Sequence, residues 1–272
     1  MIETIFGFIG CGNMGGALAR AVRKTVPGEN ILLSNRTPEK AEALAGELGA
    51  EASDNHTLAR RSDFLFLGVK PQMMEGMLSD IRRDLSGRSA PCVLVTMAAG
   101  LSIQTVREMA GVSFPVIRIM PNIPAAVGRG VVLCCQDGVD EGDLKTFKAA
   151  LSGAGLTDFI DEKLIDAGSA VSGCGPAFAA MMIEALADGG VACGLPRAKA
   201  QAYAAQTLLG TAALALETGS HPGQLKDAVC SPGGSTIQGV RALEARGFRG
   251  AVFEAVTAAW EKTREMSGAK ER

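Results

Sequence analysis

The residues Gly10-Cys11-Gly12-Asn13-Met14-Gly15 stand in a GxGxxG spacing. The run follows an apolar strand predicted over 5–9 and opens an amphipathic helix predicted over 14–25. In that context Gly10 allows a tight turn, Gly12 lets backbone approach a pyrophosphate, and Gly15 lets helix pack on strand. The helix N-terminus adds amides and the positive end of a dipole. The spacing therefore predicts that Gly10, Cys11, Gly12, Asn13, Met14 and Gly15 bind a dinucleotide; the plain alternative is an ordinary strand-turn-helix.

Selection between dinucleotides falls to the end of the next strand, roughly 20 residues on. An NAD site places Asp or Glu there. This chain has Ser34-Asn35-Arg36-Thr37, with Lys40 one turn later. A dianionic 2′-phosphate is matched by a guanidinium with hydroxyl or amide donors. Ser34, Asn35 and Arg36 thus point to NADP(H) as the preferred cofactor, with NAD(H) possible. The other reading is a capping turn with a solvated Arg36. Asn55 and His56, at an early helix start, are placed near the adenosine end.

Two more strand ends face the same crevice. Val69-Lys70-Pro71 closes one, and Ala98-Ala99-Gly100, after Thr96-Met97, closes the other. Small residues at 98–100 let a flat ring lie against backbone. Lys70 is either a site residue or a solvated loop lysine. Asn122, in Met120-Pro121-Asn122, is either a polar contact to the cofactor or a turn residue.

A second glycine-rich loop reads Cys230-Ser231-Pro232-Gly233-Gly234-Ser235-Thr236. Glycines bare the amides, and Ser235 or Thr236 is expected to cap the helix that follows. Successive amides at a helix start form an anion nest suited to a small carboxylate. Ser231, Gly233, Gly234, Ser235 and Thr236 are therefore candidate substrate contacts; a simple helix-turn-helix link is the alternative. Cys174 and Cys230 have no basic neighbour in sequence and read as packing residues. His221, before Pro222, reads as a turn cap.

These loops need elements to hold them. Apolar runs at 5–9, 31–33, 64–69, 93–97, 116–119 and 156–160 alternate with helical stretches, the last at 140–151. That alternation predicts an α/β fold with a doubly wound parallel sheet and helices on both faces. Beyond about 161 the strand signal ends. Helices are predicted at 176–193, 196–218, 223–230, 236–246 and 249–266, with a polar, frayed tail at Ser267–Arg272. The chain divides into a nucleotide-binding domain over 1–161 and an all-α domain over 162–272, whose apolar faces can pack on one another or on a second subunit.

Composition excludes several classes. The 34 glycines among 272 residues follow no Gly-X-Y period, and 47% of residues are hydrophobic, which argues against collagen and disorder. Two histidines leave little room for a histidine-based metal site, and no metal is expected. A net charge of −2 and few aromatics offer nothing to nucleic acid or to anionic lipid. The uncharged stretches 167–183 and 200–216 fall short of a membrane span. Seven cysteines without a CxxC pair suit a reducing cytoplasm, and the N-terminus lacks the basic region of a signal peptide.

The runs Val171-Ser172-Gly173-Cys174-Gly175-Pro176-Ala177-Phe178, Ala187-Asp188-Gly189-Gly190-Val191, Gly194-Leu195-Pro196 and His221-Pro222-Gly223-Gln224-Leu225-Lys226-Asp227 resemble the pyrroline-5-carboxylate reductases. So does Ser231-Pro232-Gly233-Gly234-Ser235-Thr236, a highly specific stretch, and the likeness covers nearly the whole chain. The resemblance implies NAD(P)H-dependent reduction of 1-pyrroline-5-carboxylate to L-proline at an interdomain or dimer cleft. It implies a Rossmann-type domain, then a helical domain that forms a homodimer and often a decamer. One departure is Cys174, where the family usually has Ser. The substrate implied is a cyclic imine, electrophilic once protonated, whose carbon accepts a hydride. Thr236 is then placed on its carboxylate and near its ring nitrogen. A related reductase class uses a lysine on the long helix after the first domain; the stretch 176–193 contains none. A non-catalytic NADP(H) sensor would not need the 231–236 loop.

Overall fold

The computed structural model describes residues 4–266; the tail at Ser267–Arg272 lies outside them. The described residues form two compact units. One comprises residues up to Cys174 together with those from Ala259 onward, and the other is Gly175–Ala258.

The first unit is built on an eight-stranded sheet. Its elements run β1 (Phe6–Ile9), α1 (Asn13–Arg23), β2 (Ile31–Ser34), α2 (Pro38–Leu48), β3 (Glu51–Ala52), α3 (Asn55–Arg61), β4 (Phe64–Leu67), α4 (Pro71–Ser86), β5 (Val93–Thr96), α5 (Ile103–Ala110), β6 (Val116–Pro121), β7 (Gly130–Asp137), α6 (Glu141–Leu151), β8 (Gly155–Phe159) and α7 (Ile165–Ser172). The strand order is β3-β2-β1-β4-β5-β6-β7-β8. The chain leaves β1 on one side through β2 and returns on the other through β4. The crevice between β1 and β4 is thus the topological switch point, where open α/β sheets hold ligands.

The central strands are buried throughout. Alternate side chains go to opposite faces. Phe64 and Phe66 join one core cluster, while Leu65 and Leu67 join the other. Register pairs Phe6 with Phe64 and Phe8 with Phe66, and the rings stack at 5.1 and 4.3 Å. Phe147 of α6 and Phe159 of β8 extend the stack. Six of the ten phenylalanines therefore lie in or against the core.

The sheet is mostly parallel, as expected, with one exception: β7, a strand the sequence reading did not include, runs antiparallel to β6. The chain turns back through a short 3₁₀ turn at Ile123–Val127 and Gly128, without a crossover helix. The run Gly130–Asp137, bounded by glycines, carried the signal of that strand and was passed over.

Glu162–Ala192 is long and apolar enough to cross a membrane by length and composition, although its uncharged stretch alone is too short. It is not one uninterrupted element. A 3₁₀ turn, α7 and α8 (Gly175–Ala192) divide it, and Ile165 of α7 is fully buried in the sheet core.

The second unit holds the rest of the helices: α8, α9 (Arg197–Thr218), α10 (Pro222–Ala228), α11 (Ser235–Ala245) and most of α12 (Phe248–Met266). Its small core joins Ala187 of α8 to Ala200 and Ala204 of α9. Gly219 ends α9 in a left-handed conformation (φ 63°), as a helix C-terminus favours.

Candidate active site

Three glycines of the first loop meet three different constraints. Gly10 turns the chain at φ 101°, and its N–H donates to Ser34 O at 2.8 Å. A Cβ there would lie 2.6 Å from Gly68 O. A Cβ on Gly15 would lie 2.1 Å from Gly10 O, so only glycine lets α1 come this close to β1. Around Gly12 there is open space instead. The protein itself demands the first and third glycines; the second leaves a vacant approach to the helix start. Gly12 is the N-cap of α1, with no side-chain cap and no acidic residue in the first turn. First-turn amides, those of Asn13 and Met14 among them, have no intrahelical partner and point at that space. A pyrophosphate fits there.

Cys11 packs beneath the loop. It is buried, its thiol lies 3.4 Å from Ser34 O, and burial pushes its pKa up to about 11. It is a wall of the site, with no thiolate to offer.

At the adenosine end the side chains largely bond to one another. Ser34 Oγ donates to Asn55 Oδ1 at 2.6 Å. Asn35 Oδ1 accepts from Cys11 N at 3.1 Å, and its Nδ2 donates to Thr37 O at 3.1 Å. The Ser34 hydroxyl and one Asn35 N–H are therefore already engaged, and both residues shape the turn. Arg36 and Lys40 are exposed and have no ion-pair partner among the described residues. They remain available to an anion. His56 turns from the crevice toward α4. Its Nδ1 lies 2.7 Å from Asp84 Oδ2 and its Nε2 lies 3.6 Å from Asp80. The Asp84 hydrogen bond raises the imidazole pKa.

The other strand ends are placed as expected on the carboxyl edge, with one change of role. Lys70 is the N-cap of α4, exposed, with Pro71 at the first helical position. Val69 packs partly buried against the core. Ala98 is buried, its N–H reaching Thr96 Oγ1 at 3.3 Å. Ala99 is half-buried and Gly100 turns at φ 78°. Asn122 differs. Its Nδ2 donates to Ser172 O at 2.8 Å and its Oδ1 accepts from Val131 N at 2.9 Å. Its amide ties β6, β7 and α7 together, a structural role the sequence reading did not give it, and one Nδ2 N–H remains beyond those two bonds.

In the helical unit the second loop turns through Gly233 at φ 69°, and Gly234 N donates to Ser231 O at 3.0 Å. A Cβ on Gly234 would lie 2.3 Å from Ser231 Oγ. Gly234 is the N-cap of α11, with no side-chain cap, and Ser235 is the first helical residue. The expectation that Ser235 or Thr236 caps the helix is thus corrected: the turn closed by Ser231 sets the cap one residue earlier. Ser231, Ser235 and Thr236 are exposed. The hydroxyls of Ser235 and Thr236 have no partner among the described residues. Before this loop, His221 Nδ1 accepts from Gly223 N at 3.0 Å and caps α10, as read from sequence.

Sequence reasoning overlooked Gly68, where a Cβ would lie 2.6 Å from Gly10 O; a glycine directly after a buried strand was the available signal. It also overlooked Arg118, an internal residue of an apolar strand. Among the described residues no His, Cys, Asp and Glu cluster could hold a metal.

Comparison with known proteins agrees with this geometry. Residues 162–266 match the family model described as pyrroline-5-carboxylate reductase dimerisation. Residues 5–100 match that of NADP oxidoreductase, coenzyme F420-dependent. The pyrroline-5-carboxylate reductase of Escherichia coli is 40% identical, covering 98% of this chain and 99% of its own. That of Pisum sativum is 39% identical, over 96% and 95%. The crystal structure of the Plasmodium falciparum pyrroline carboxylate reductase, with NADP bound, superposes with a TM-score of 0.86 at 32% identity, covering 98% and 99%. With a dinucleotide crevice, an exposed amide-rich loop and relatives matched end to end, the chain belongs to the pyrroline-5-carboxylate reductase family, oxidoreductases that reduce 1-pyrroline-5-carboxylate to L-proline with NAD(P)H.

Proposed function

We propose that the chain performs this last step of proline biosynthesis with NADPH as the preferred cofactor. The observation that carries the reading is the Gly10–Gly15 loop, tight where protein meets protein and open at Gly12. Amides at the start of α1 hold the pyrophosphate. Arg36, assisted by Lys40, holds the 2′-phosphate, where a carboxylate would repel it. Val69, Lys70 and Pro71 border the crevice, and the small side chains of Ala98, Ala99 and Gly100 leave a flat surface for the nicotinamide ring. NADPH supplies the hydride when bound there.

Amides of Gly234, Ser235 and Thr236, with the hydroxyls of Ser231, Ser235 and Thr236, hold the substrate carboxylate at the N-terminus of α11. The Thr236 hydroxyl also serves the ring nitrogen. A protonated imine is already electrophilic, so orientation and exclusion of water are what the chain must provide. The functional division is a nucleotide domain over 1–161 and a substrate and dimerisation domain over 162–272.

The helical domain forms a homodimer. Met181, Leu209, Leu214, Leu216 and Phe253 are large, apolar and exposed on its helices, a pattern that marks association surfaces. Decamers of such dimers follow from the family resemblance alone. Seven free cysteines suit work in the cytoplasm.

Mixing the purified chain with NADPH and 1-pyrroline-5-carboxylate and following NADPH absorbance tests the proposal. The expected result is oxidation that depends on the imine, with NADH giving a lower kcat/KM. Equal kcat/KM for the two cofactors would refute the 2′-phosphate site.

A further inference from the structure

Among the described residues Arg118 is the one charged side chain that is fully buried, at 5% exposure. It stands in the middle of β6. Its Nη1 lies 3.2 Å from Glu162 Oε1 and its Nη2 lies 3.1 Å from Asp166 Oδ1. Its Nε has no hydrogen-bond partner among the described residues. A buried guanidinium that leaves one N–H unsatisfied, paired to carboxylates that are themselves part-exposed, is a poor way to stabilise a fold. What it does well is hold its partners in one arrangement.

Those partners sit at informative places. The Glu162 oxygen that meets Arg118 also accepts from Ile103 N at 2.8 Å. Ile103 is the first residue of α5, directly after the Ala98–Ser102 loop. The start of that loop is held by the bond from Ala98 N to Thr96 Oγ1 at 3.3 Å. Glu162 therefore pins the loop's exit as Thr96 pins its entry. Asp166 lies in the first turn of α7, and Asn122, at the end of β6, holds Ser172 O in the last turn of α7. Strand β6 thus grips α7 at both ends, and through Glu162 it reaches the loop after β5.

We propose that Arg118 is a positioning residue for hydride transfer. By fixing Glu162, it sets the position of the Ala98–Ser102 loop. This rests on the reading that Ala98–Gly100 flank the nicotinamide. Arg118 touches neither cofactor nor substrate; it acts through Glu162 and the Ile103 amide. Loss of Arg118 should let the loop exit drift, and small misplacements of reacting groups slow chemistry far more than they weaken binding.

The test compares Arg118→Lys, Arg118→Met and Glu162→Gln with the parent protein by four measurements. These are hydrogen exchange over residues 97–105 in the free enzyme, affinity for 2′,5′-ADP, kcat, and the isotope effect with NADPH deuterated at the transferred position. Arg118→Met is expected to speed exchange in that segment, lower kcat about tenfold or more and raise the isotope effect. Affinity for 2′,5′-ADP, which binds only the adenosine end, should be unchanged. Arg118→Lys, able to meet one carboxylate, should fall between. Should Arg118→Met fail to fold, the other two variants carry the test. Unchanged exchange and isotope effect in folded Arg118→Lys and Glu162→Gln would overturn the proposal. So would a loss of 2′,5′-ADP affinity in step with kcat, which would mean general loosening. Ala99→Val separates the two layers. If it alters neither kcat nor the isotope effect, the nicotinamide does not lie on this loop and the underlying reading fails. If it slows the reaction while the Arg118 and Glu162 variants do not, only the positioning role fails.

Discussion

The chain builds two glycine-rich loops that each open a helix, and it finishes them to different degrees. The loop at Gly10–Gly15 is enclosed by its own unit. Backbone of β2 and β4 closes on it, with Gly10 N bonded to Ser34 O and Gly68 N to Ile9 O at 2.7 Å. The Cys11 amide is held by Asn35. Among the described residues the loop at Ser231–Thr236 is held by its own turn, Gly234 N to Ser231 O, and its hydroxyls stand exposed. Both offer first-turn amides to an anion. One is preorganised before any ligand arrives, and the other has its donors in place without walls around them. Preorganisation reduces the ordering cost of binding, so the two loops should respond differently to the same kind of damage.

The largest effect is expected from Gly15→Ala. Its Cβ would meet backbone at 2.1 Å, and backbone cannot turn aside as a flexible side chain could. Helix α1 must then move off β1, at a cost of about 1–3 kcal/mol. Thermal unfolding should shift down, and NADPH titration should show binding lost. Gly12→Ala is the contrast within the same loop. Its φ of −73° suits alanine and its surroundings are open, so Tm should hold while NADPH affinity falls. A Gly12→Ala variant that binds NADPH normally would mean that the open space is not where the phosphates lie.

Arg36→Ala comes next. Hydrogen bonds to charged groups contribute about 1.5–3 kcal/mol, so NADPH affinity should drop by roughly tenfold to a hundredfold, with NADH little affected. Equal loss for both cofactors would place Arg36 outside the 2′-phosphate site. Thr236→Ala, in the exposed loop, should be milder. A rise of about tenfold in KM for the imine is expected, with KM for NADPH unmoved. Unaltered kinetics would remove the carboxylate site from this loop and leave the comparison with one functional loop instead of two.

Much of this was legible because the signals are local. Strands β1, β2, β4 and β5 are apolar runs each followed by a helix, and Gly49 ends α2 in a left-handed turn; the two-residue edge strand β3 (Glu51–Ala52), polar and part-exposed, carried no such signal. The GxGxxG could be read residue by residue, since each glycine answers one contact. What escaped depends on contacts far apart in sequence. Strand β7 breaks the βα alternation by pairing antiparallel with β6, so a reading built on that alternation had no slot for it. Asn122 reads as a polar contact or a turn residue; its bond to Ser172, 50 residues away, has no local signal. Arg118 is a charge inside an apolar strand, and nothing local in the sequence brings Glu162 and Asp166, more than 40 residues on, to it. The cap of α11 was misplaced by one residue because Ser231, three residues before Gly234, captures its amide.

The smallest effect tests whether the first loop is as self-sufficient as it looks. His56 follows Asn55, the acceptor of the Ser34 hydroxyl, and pairs with Asp84 on α4. The Asp84 hydrogen bond raises the imidazole pKa above its ordinary value of about 6.5. A raised pKa in the folded state means the pair's stabilisation is complete below that ordinary value and is lost as pH rises through the folded-state value. Asp84 is shifted the other way, its pKa lowered first by the bond from His56. Its share is present above the usual carboxylate range and is lost only in acid. His56 is 45% exposed, so solvent screening keeps the pair at about 1 kcal/mol or less. His56→Gln should therefore lower Tm by a small amount near pH 6 and by nothing measurable at pH 9. NADPH affinity should stay the same at both, because the bonds that shape the loop, from Ser34 to Asn55 and from Cys11 to Asn35, involve no group that titrates there. If affinity instead tracked the loss of charge on His56, the Gly10–Gly15 loop would depend on the α3–α4 contact, and the contrast between a finished and an unfinished loop would be one of degree.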